Sequence, residues 1–200
     1  VEAITSNYSL VGTAFDYLLR FYIKKHDPKA KERTWVAEEA LFRISGTDFF
    51  PELEKKYNFA EQIYFKYLED GIITEDLIKA CIFLARMDLI VRAGIIDPNM
   101  DVYEKEDIID LKHLIELVEI DTFMSKNRSA LNPTFGEASR LIGGADADLI
   151  IDDNLIDIKT TQKIELKPIY YYQLLGYYIL SLHSGIDAFK NVPELSKMEI

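Results

Sequence analysis

Only one of the 200 residues is cysteine, which leaves nothing from which one chain could build a disulfide, a cysteine-bound zinc site or a four-cysteine iron–sulfur cluster. Cys81 stands in the apolar pattern "IKACIFLARM" and reads as a buried core thiol. Histidine is scarce too, and His26, His113 and His183 are too far apart in sequence to suggest a ligand set. No stretch approaches the roughly 18 to 20 uninterrupted apolar residues of a membrane span, and the opening "VEAITSNYSL" lacks a basic region followed by an apolar one. These absences predict a soluble, cytoplasmic chain with no membrane partner. Positive charge is also short. The 23 Lys and Arg against 34 Asp and Glu give a net charge of −11, which argues against a protein that adheres generally to nucleic acid or anionic lipid. Candidates for a local basic groove are scattered: Lys126 and Arg128, Arg140, then Lys163 and Lys167.

The chain does have enough apolar residues, 48% of the total, to bury a sizeable core. Its first 130 residues read as helices. "SLVGTAFDYLLRFYIKK" puts Leu10, Phe15, Leu18, Leu19, Phe21 and Tyr22 largely on one stripe, with Lys24 and Lys25 in the last turn, where cations suit the dipole. "DPKAKERT" interrupts the pattern and Thr34 to Arg43 resumes it. Further helices are expected over "FPELEKKYNFAEQIYFKYLEDG", over "EDLIKACIFLARMDLIVRAG" with Thr74 as its N-cap, and over Ile108 to Met124. The texture then changes. Leu149–Ile151, Leu155–Thr160 and Lys197–Ile200 read as strands, and "PIYYYQLLGYYILSLH" as a tyrosine-rich helix opened by proline. The expectation is an α+β protein: a helical region over residues 1–130, packed on or covering a mixed α/β core over 131–200. The stop at "LSKMEI" in mid-pattern suggests a core trimmed at its C-terminus.

The stretch "GGADADLIIDDNLIDIKTT", residues 143–161, sets five aspartates and one lysine around two short apolar runs. Read as a hairpin with Asp153–Asn154 as a two-residue loop, it pairs Ile150 with Asp157 and Asp148 with Lys159. Alternation then puts Leu149, Ile151, Ile156, Ile158 and Thr160 on an apolar face. Asp146, Asp148, Asp157 and Lys159 fall on a polar one. At about 4 Å two like charges repel by about 4 kcal/mol at an effective dielectric of about 20, and one lysine does not offset several carboxylates. A divalent cation among the oxygens relieves the crowding, and so does protonation of one carboxylate. An EF-hand is ruled out, because the fifth and sixth positions counted from Asp146 are Ile150 and Ile151. Three neighbouring features add to the pattern: Gly143-Gly144 before the first aspartate, Thr160-Thr161 after the lysine, and Gln173 with Tyr177 at i, i+4 on the next helix, Tyr170 sharing that face.

In the order "GGADAD", "IDIKTT" and "QLLGY", the stretch from about Asn132 to Leu182 resembles the PD-(D/E)XK nuclease superfamily, in particular its RecB-like and lambda-exonuclease-like branch. The resemblance implies a restriction-endonuclease-like mixed sheet flanked by helices. Residues 1–130 take no part in it. Carried over position by position, Asp157 and Lys159 match the motif carboxylate and lysine, and Asp148 the preceding acid, with Asp146 as the second choice. Glu137, in "TFGEASRLI", matches the upstream helical acid; the alternative is an exposed helix glutamate. Gln173 and Tyr177 match the helix motif that orients the site and the nucleic-acid strand; the alternative is an amphipathic helix with tyrosines at an interface.

The chemistry follows from these residue types. Asp148 and Asp157, with the main-chain carbonyl of Ile158 and contributions from Glu137 or Asp146, are expected to hold Mg²⁺ or Mn²⁺. Lys159 is expected to orient water or stabilise developing phosphoryl charge, and Thr160 and Thr161 offer hydroxyls to phosphate beside Gln173 and Tyr177. The expected activity is metal-dependent hydrolysis of phosphodiester bonds in DNA, with RNA the weaker candidate. The competing expectation is a catalytically inactive nuclease-like module that docks in a larger assembly, its helical N-terminal region meeting a protein partner.

Overall fold

The computed structural model describes residues 3–161, 165–189 and 195–200; Lys163 lies outside them. Among the described residues the chain is α+β, with seven α-helices and a five-stranded mixed sheet. It divides into two compact units, Val1–Lys25 with Thr34–Val118, and His26–Arg33 with Glu119–Ile200. No helix among the described residues is long and apolar enough to cross a membrane.

The first unit is helical: α1 (Tyr8–His26), α2 (Val36–Ile44), α3 (Phe50–Asp70), α4 (Glu75–Ala93) and α5 (Lys105–Glu116). α4 packs against α2, α3 and α5 and is buried almost all round, at Leu77 and Ile78, from Ala80 to Asp88 and at Ile90, as its nearly continuous apolar sequence requires. Its start is fixed by Thr74, whose hydroxyl accepts the Leu77 N–H at 3.2 Å. Its end is fixed by Gly94 in the left-handed conformation, φ +68°. Phe21, Trp35 and Tyr64 stack into one aromatic cluster, with centroids 4.3–5.2 Å apart.

α5 corrects the expected helix over Ile108–Met124. It begins at Lys105 and closes at Leu117, whose N–H turns back to Leu114 O and Ile115 O. The chain is extended at Glu119 before a separate 3₁₀ turn at Ile120–Phe123. The apolar spacing continues past the helix, so periodicity alone does not reveal its end.

The second unit holds the sheet, in the order β1 (Lys31–Glu32), β2 (Ser129–Leu131), β3 (Leu149–Ile151), β4 (Asn154–Ile156) and β5 (Lys197–Glu199). β2, β3 and β4 are antiparallel neighbours, while β1 lies parallel to β2 and β5 parallel to β4. α6 (Gly136–Leu141) precedes β3, and α7 (Pro168–Ser184) joins β4 to β5 and packs on α6 and β4. Ile150 and Leu155 meet Ala130, Phe135, Leu174, Ile186 and Leu195 in one buried cluster.

The hairpin register is one residue earlier than the sequence reading. Ile150 pairs with Leu155 and Ile151 with Asn154, so the two-residue loop is Asp152–Asp153. Two contacts select it. Asp152 adopts φ +55°, which aspartate tolerates better than most residues. Its carboxylate accepts the backbone N–H groups of Lys126, Asn127 and Arg128 at 3.1, 2.8 and 3.2 Å. A loop moved to Asp153–Asn154 would give up that anchor. Because the shift changes both partners by whole steps of two, the face on which each side chain lies is unchanged.

Candidate functional site

Alternation along β3 and its N-terminal extension places Asp146, Asp148 and Ile150 on one face, shared across the ladder with Leu155 and Asp157. The sequence groups these acids on a polar face without showing what covers it. Ile150 and Leu155 pack into the cluster that includes Leu174 of α7, while Leu149, Ile151 and Ile156 on the other face are also buried. The carboxylates therefore continue a face covered by a helix, as is common where both sides of a mixed sheet are covered. Asp157 is only 1% exposed.

Each acid is held by the backbone around it. The β2–β3 pairing extends beyond the strands through Asn132 N–H to Asp148 O, 2.8 Å, and an isolated bridge between Thr134 and Asp146. Asp148 Oδ2 accepts the Ile158 N–H at 2.5 Å, which fixes the chain just after β4. The Asp157 N–H donates to Glu199 O at 3.0 Å, joining that residue to β5.

Lys159 Nζ lies 2.6 Å from Asp157 Oδ2 and 5.7 Å from the centre of the Tyr170 ring. This corrects the expected partnership with Asp148, a consequence of the shifted register. Apart from the ion pair, the buried Asp157 Oδ2 makes no hydrogen bond. Burial pushes the Asp157 carboxyl above its ordinary value, against the hydrogen bond and charge of Lys159.

α7 supplies the other wall. Gln173 Nε2 donates to Tyr177 Oη at 2.7 Å. The Tyr177 hydroxyl is pushed up to about 12, first by burial, with the Gln173 hydrogen bond opposing and the charges of Asp157, Asp146 and Asp148 adding to the rise. That coupling puts α7 and all three aspartates in one electrostatic environment. Phe135, fully buried, stacks on Tyr177 with centroids 5.5 Å apart and planes at 25°. Sequence reasoning gave no sign of Phe135, since a ring that supports another ring 42 positions away leaves no local pattern. It also missed the anchoring role of Asp152, whose signal is an aspartate at the first place of a two-residue hairpin loop.

The structure thus brings together Asp146, Asp148, Asp157, Lys159, Gln173 and Tyr177, with Tyr170 over the lysine. Thr160 and Thr161 are exposed on the segment that leaves Lys159. Glu137 is exposed on α6, where its carboxylate pairs with Arg140. Among the described residues no three His, Cys, Asp or Glu side chains form a ready group for a metal ion. The donor set at the hairpin is all oxygen, and its most buried carboxylate is met at Oδ2 by the Lys159 ammonium. That chemistry fits a hard divalent cation better than a soft one.

Compared with protein-family models, with curated proteins and with solved structures, the chain has no match.

Proposed function

We propose that the second unit is a restriction-endonuclease-like, PD-(D/E)XK-type nuclease domain that hydrolyses phosphodiester bonds in DNA with Mg²⁺ or Mn²⁺. One observation carries the reading: Asp148 and Asp157 share a face of the β3–β4 hairpin, Lys159 sits 2.6 Å from Asp157, and the Gln173–Tyr177 pair of α7 belongs to the same environment. These residues come from three separate segments, and their meeting needs the hairpin, the ladder parity and the helix together. The order of elements agrees, with α6, the β3–β4 hairpin, α7 and a parallel β5 in succession.

In this proposal Asp148 and Asp157 hold the cation, with Asp146 on the same face and the Ile158 carbonyl as a further ligand; the Ile158 N–H already donates to Asp148. When bound, it polarises the scissile phosphate and lowers the pKa of an attacking water. Lys159 leaves its ion pair in part to meet charge developing on the phosphoryl oxygens. Tyr177, kept protonated up to about 12, offers an O–H donor at any physiological pH. Thr160 and Thr161 extend the phosphate contacts outward.

The second reading, a catalytically inactive module that docks through its helical unit, draws on the −11 net charge and on Glu137 being engaged by Arg140. The test incubates the chain and its Lys159→Ala and Asp148→Asn variants with linear and circular, single- and double-stranded DNA, plus an RNA control, in Mn²⁺, Mg²⁺ or chelator. Metal-dependent cutting by the parent, lost in both folded variants, is the expected result. No cutting by a folded parent in any metal rejects the nuclease reading in favour of the docking module.

A further inference from the structure

α7 is unusual in a chain that is 28% charged: from Pro168 to Ser184 it contains no Asp, Glu, Lys or Arg. One side packs inward through Leu174 and Ser181 and carries Gln173 and Tyr177 beside the hairpin. The opposite side is apolar and open. Tyr172, Leu175, Ile179 and Leu182 are 68%, 48%, 55% and 68% exposed, and their 3-4-3 spacing is that of a coiled-coil seam. A helix apolar on all sides is ordinarily covered on all sides.

Gly176 adds an independent sign. It lies mid-helix, where glycine disfavours the helical state, yet a Cβ built there meets nothing within 4 Å. No packing inside the described chain calls for a glycine. Its place near the middle of the seam suits the close approach of a second helix, which a side chain would hold off.

We propose that this seam pairs with the α7 of a second copy, making a two-fold homodimer with antiparallel helices crossing near Gly176. The flanking positions favour self-pairing over a different protein. With Tyr172 and Ile179 at a and Leu175 and Leu182 at d, the residues beside the seam are Tyr171, Tyr178, Gly176 and His183. None bears a fixed charge that would repel its own copy or select a distinct partner. The uncharged helix is also where two chains of −11 can meet with least repulsion. Four side chains at these exposures offer roughly 500 Å² per copy, so the pair covers about 1,000 Å², the lower limit for a specific interface. The helices' inner faces would then point their two hairpin sites away from the dimer axis. This pairing stands apart from the nuclease reading, because its readout is mass and not cleavage.

The test is sedimentation velocity from low micromolar to several hundred micromolar protein, at low and high salt. The expected result is a rise from 23.1 kDa toward twice that mass, favoured by salt because screening weakens the repulsion between like-charged copies. Gly176→Leu should weaken association at least tenfold while its thermal unfolding, measured dilute, stays at or above the parent's. Ile179→Glu and Ile179→Lys should each be monomeric alone and associate when mixed, which only pairing of this face with itself explains. A parent that stays at 23.1 kDa at every concentration and salt overturns the proposal, as does a dimer untouched by these substitutions.

Discussion

Replacing Lys159 by methionine keeps most of the apolar stem and removes, among the described residues, the one cation in an ion pair with Asp157. The Asp157 carboxylate is then left 1% exposed, and its Oδ2 has no other hydrogen bond. Removing one partner of a fully buried ion pair costs about 3–5 kcal/mol. The Lys159 side chain is 24% exposed, so water reaching the vacated space trims the expected loss to about 2–3 kcal/mol. For a chain of this size that is a fall in melting temperature of roughly 4–12 °C. Asp157→Asn should cost less, and the double variant should recover most of the difference, giving a coupling of about 1–2 kcal/mol in a double-mutant cycle.

The loss must also depend on pH in a definite direction. Burial already holds the Asp157 carboxyl above its ordinary value, so the folded state binds its proton more tightly than the unfolded chain does. Ionised Asp157 opposes folding, and loss of Lys159 strengthens that opposition. The deficit of Lys159→Met is therefore greatest at neutral pH. It shrinks as pH falls through the folded value and vanishes near the unfolded value of about 4. Urea unfolding followed between pH 4 and pH 8 measures it. A deficit under about 0.5 kcal/mol, or one that is flat with pH, would refute the argument that the pair neutralises a buried charge.

Asp152→Ala should destabilise the second unit by about 2 kcal/mol, since it removes the acceptor of three backbone N–H groups and leaves a β-carbon at φ +55°. Asp152→Asn should lose less; equal losses in denaturant melts would deny the anchor. Partial burial is outweighed at Asp152 by those N–H donors, which hold its carboxyl below the ordinary value, so this contribution is present above about pH 4 and is lost as pH falls through the folded value. In the helical unit, burial pushes Asp88 up to about 6, against the hydrogen bond from the Tyr17 hydroxyl at 2.6 Å. Its ionised form opposes folding above that value. Asp88→Asn should be about 1–3 kcal/mol more stable than the parent at pH 8 and lose that advantage near pH 4, as checked by calorimetry across that range.

The helices of the first unit were legible because each carries its own signals. The apolar stripe of α1, Thr74 before α4 and the glycines that follow α3 and α4 are local and need no distant partner. β1 was not legible, because Lys31–Glu32 has no strand character and is a strand only through pairing with Ala130 and Leu131, about a hundred positions away. The hairpin falls between these cases. Period-two alternation correctly grouped Asp146, Asp148 and Asp157, since a slip by whole pairs keeps every side chain on its face. The partner of Lys159 was misread, because the loop position depends on Asp152 reaching the backbone of Lys126, Asn127 and Arg128. The burial of Asp157 was not legible either. Charged residues suggest solvent, and only the packing of α7 over Ile150 and Leu155 shows that this face is covered.

That covering decides what the carboxylates can do. Under a helix without a single fixed charge, repulsion among Asp146, Asp148 and Asp157 is screened less than it would be in water, and at Asp157 it is met by the Lys159 ion pair. Burial is the first cause of both the raised Asp157 carboxyl and the raised Tyr177 hydroxyl; Lys159 opposes it at Asp157, and the charges of the three aspartates add to it at Tyr177. On the proposed reading, the phosphates of DNA would meet the charges of these same aspartates. A divalent cation removes both conflicts at once, because it neutralises the acids and attracts the phosphate. On the proposed reading, then, DNA binding and metal binding are one coupled event, and each should be weak when measured without the other.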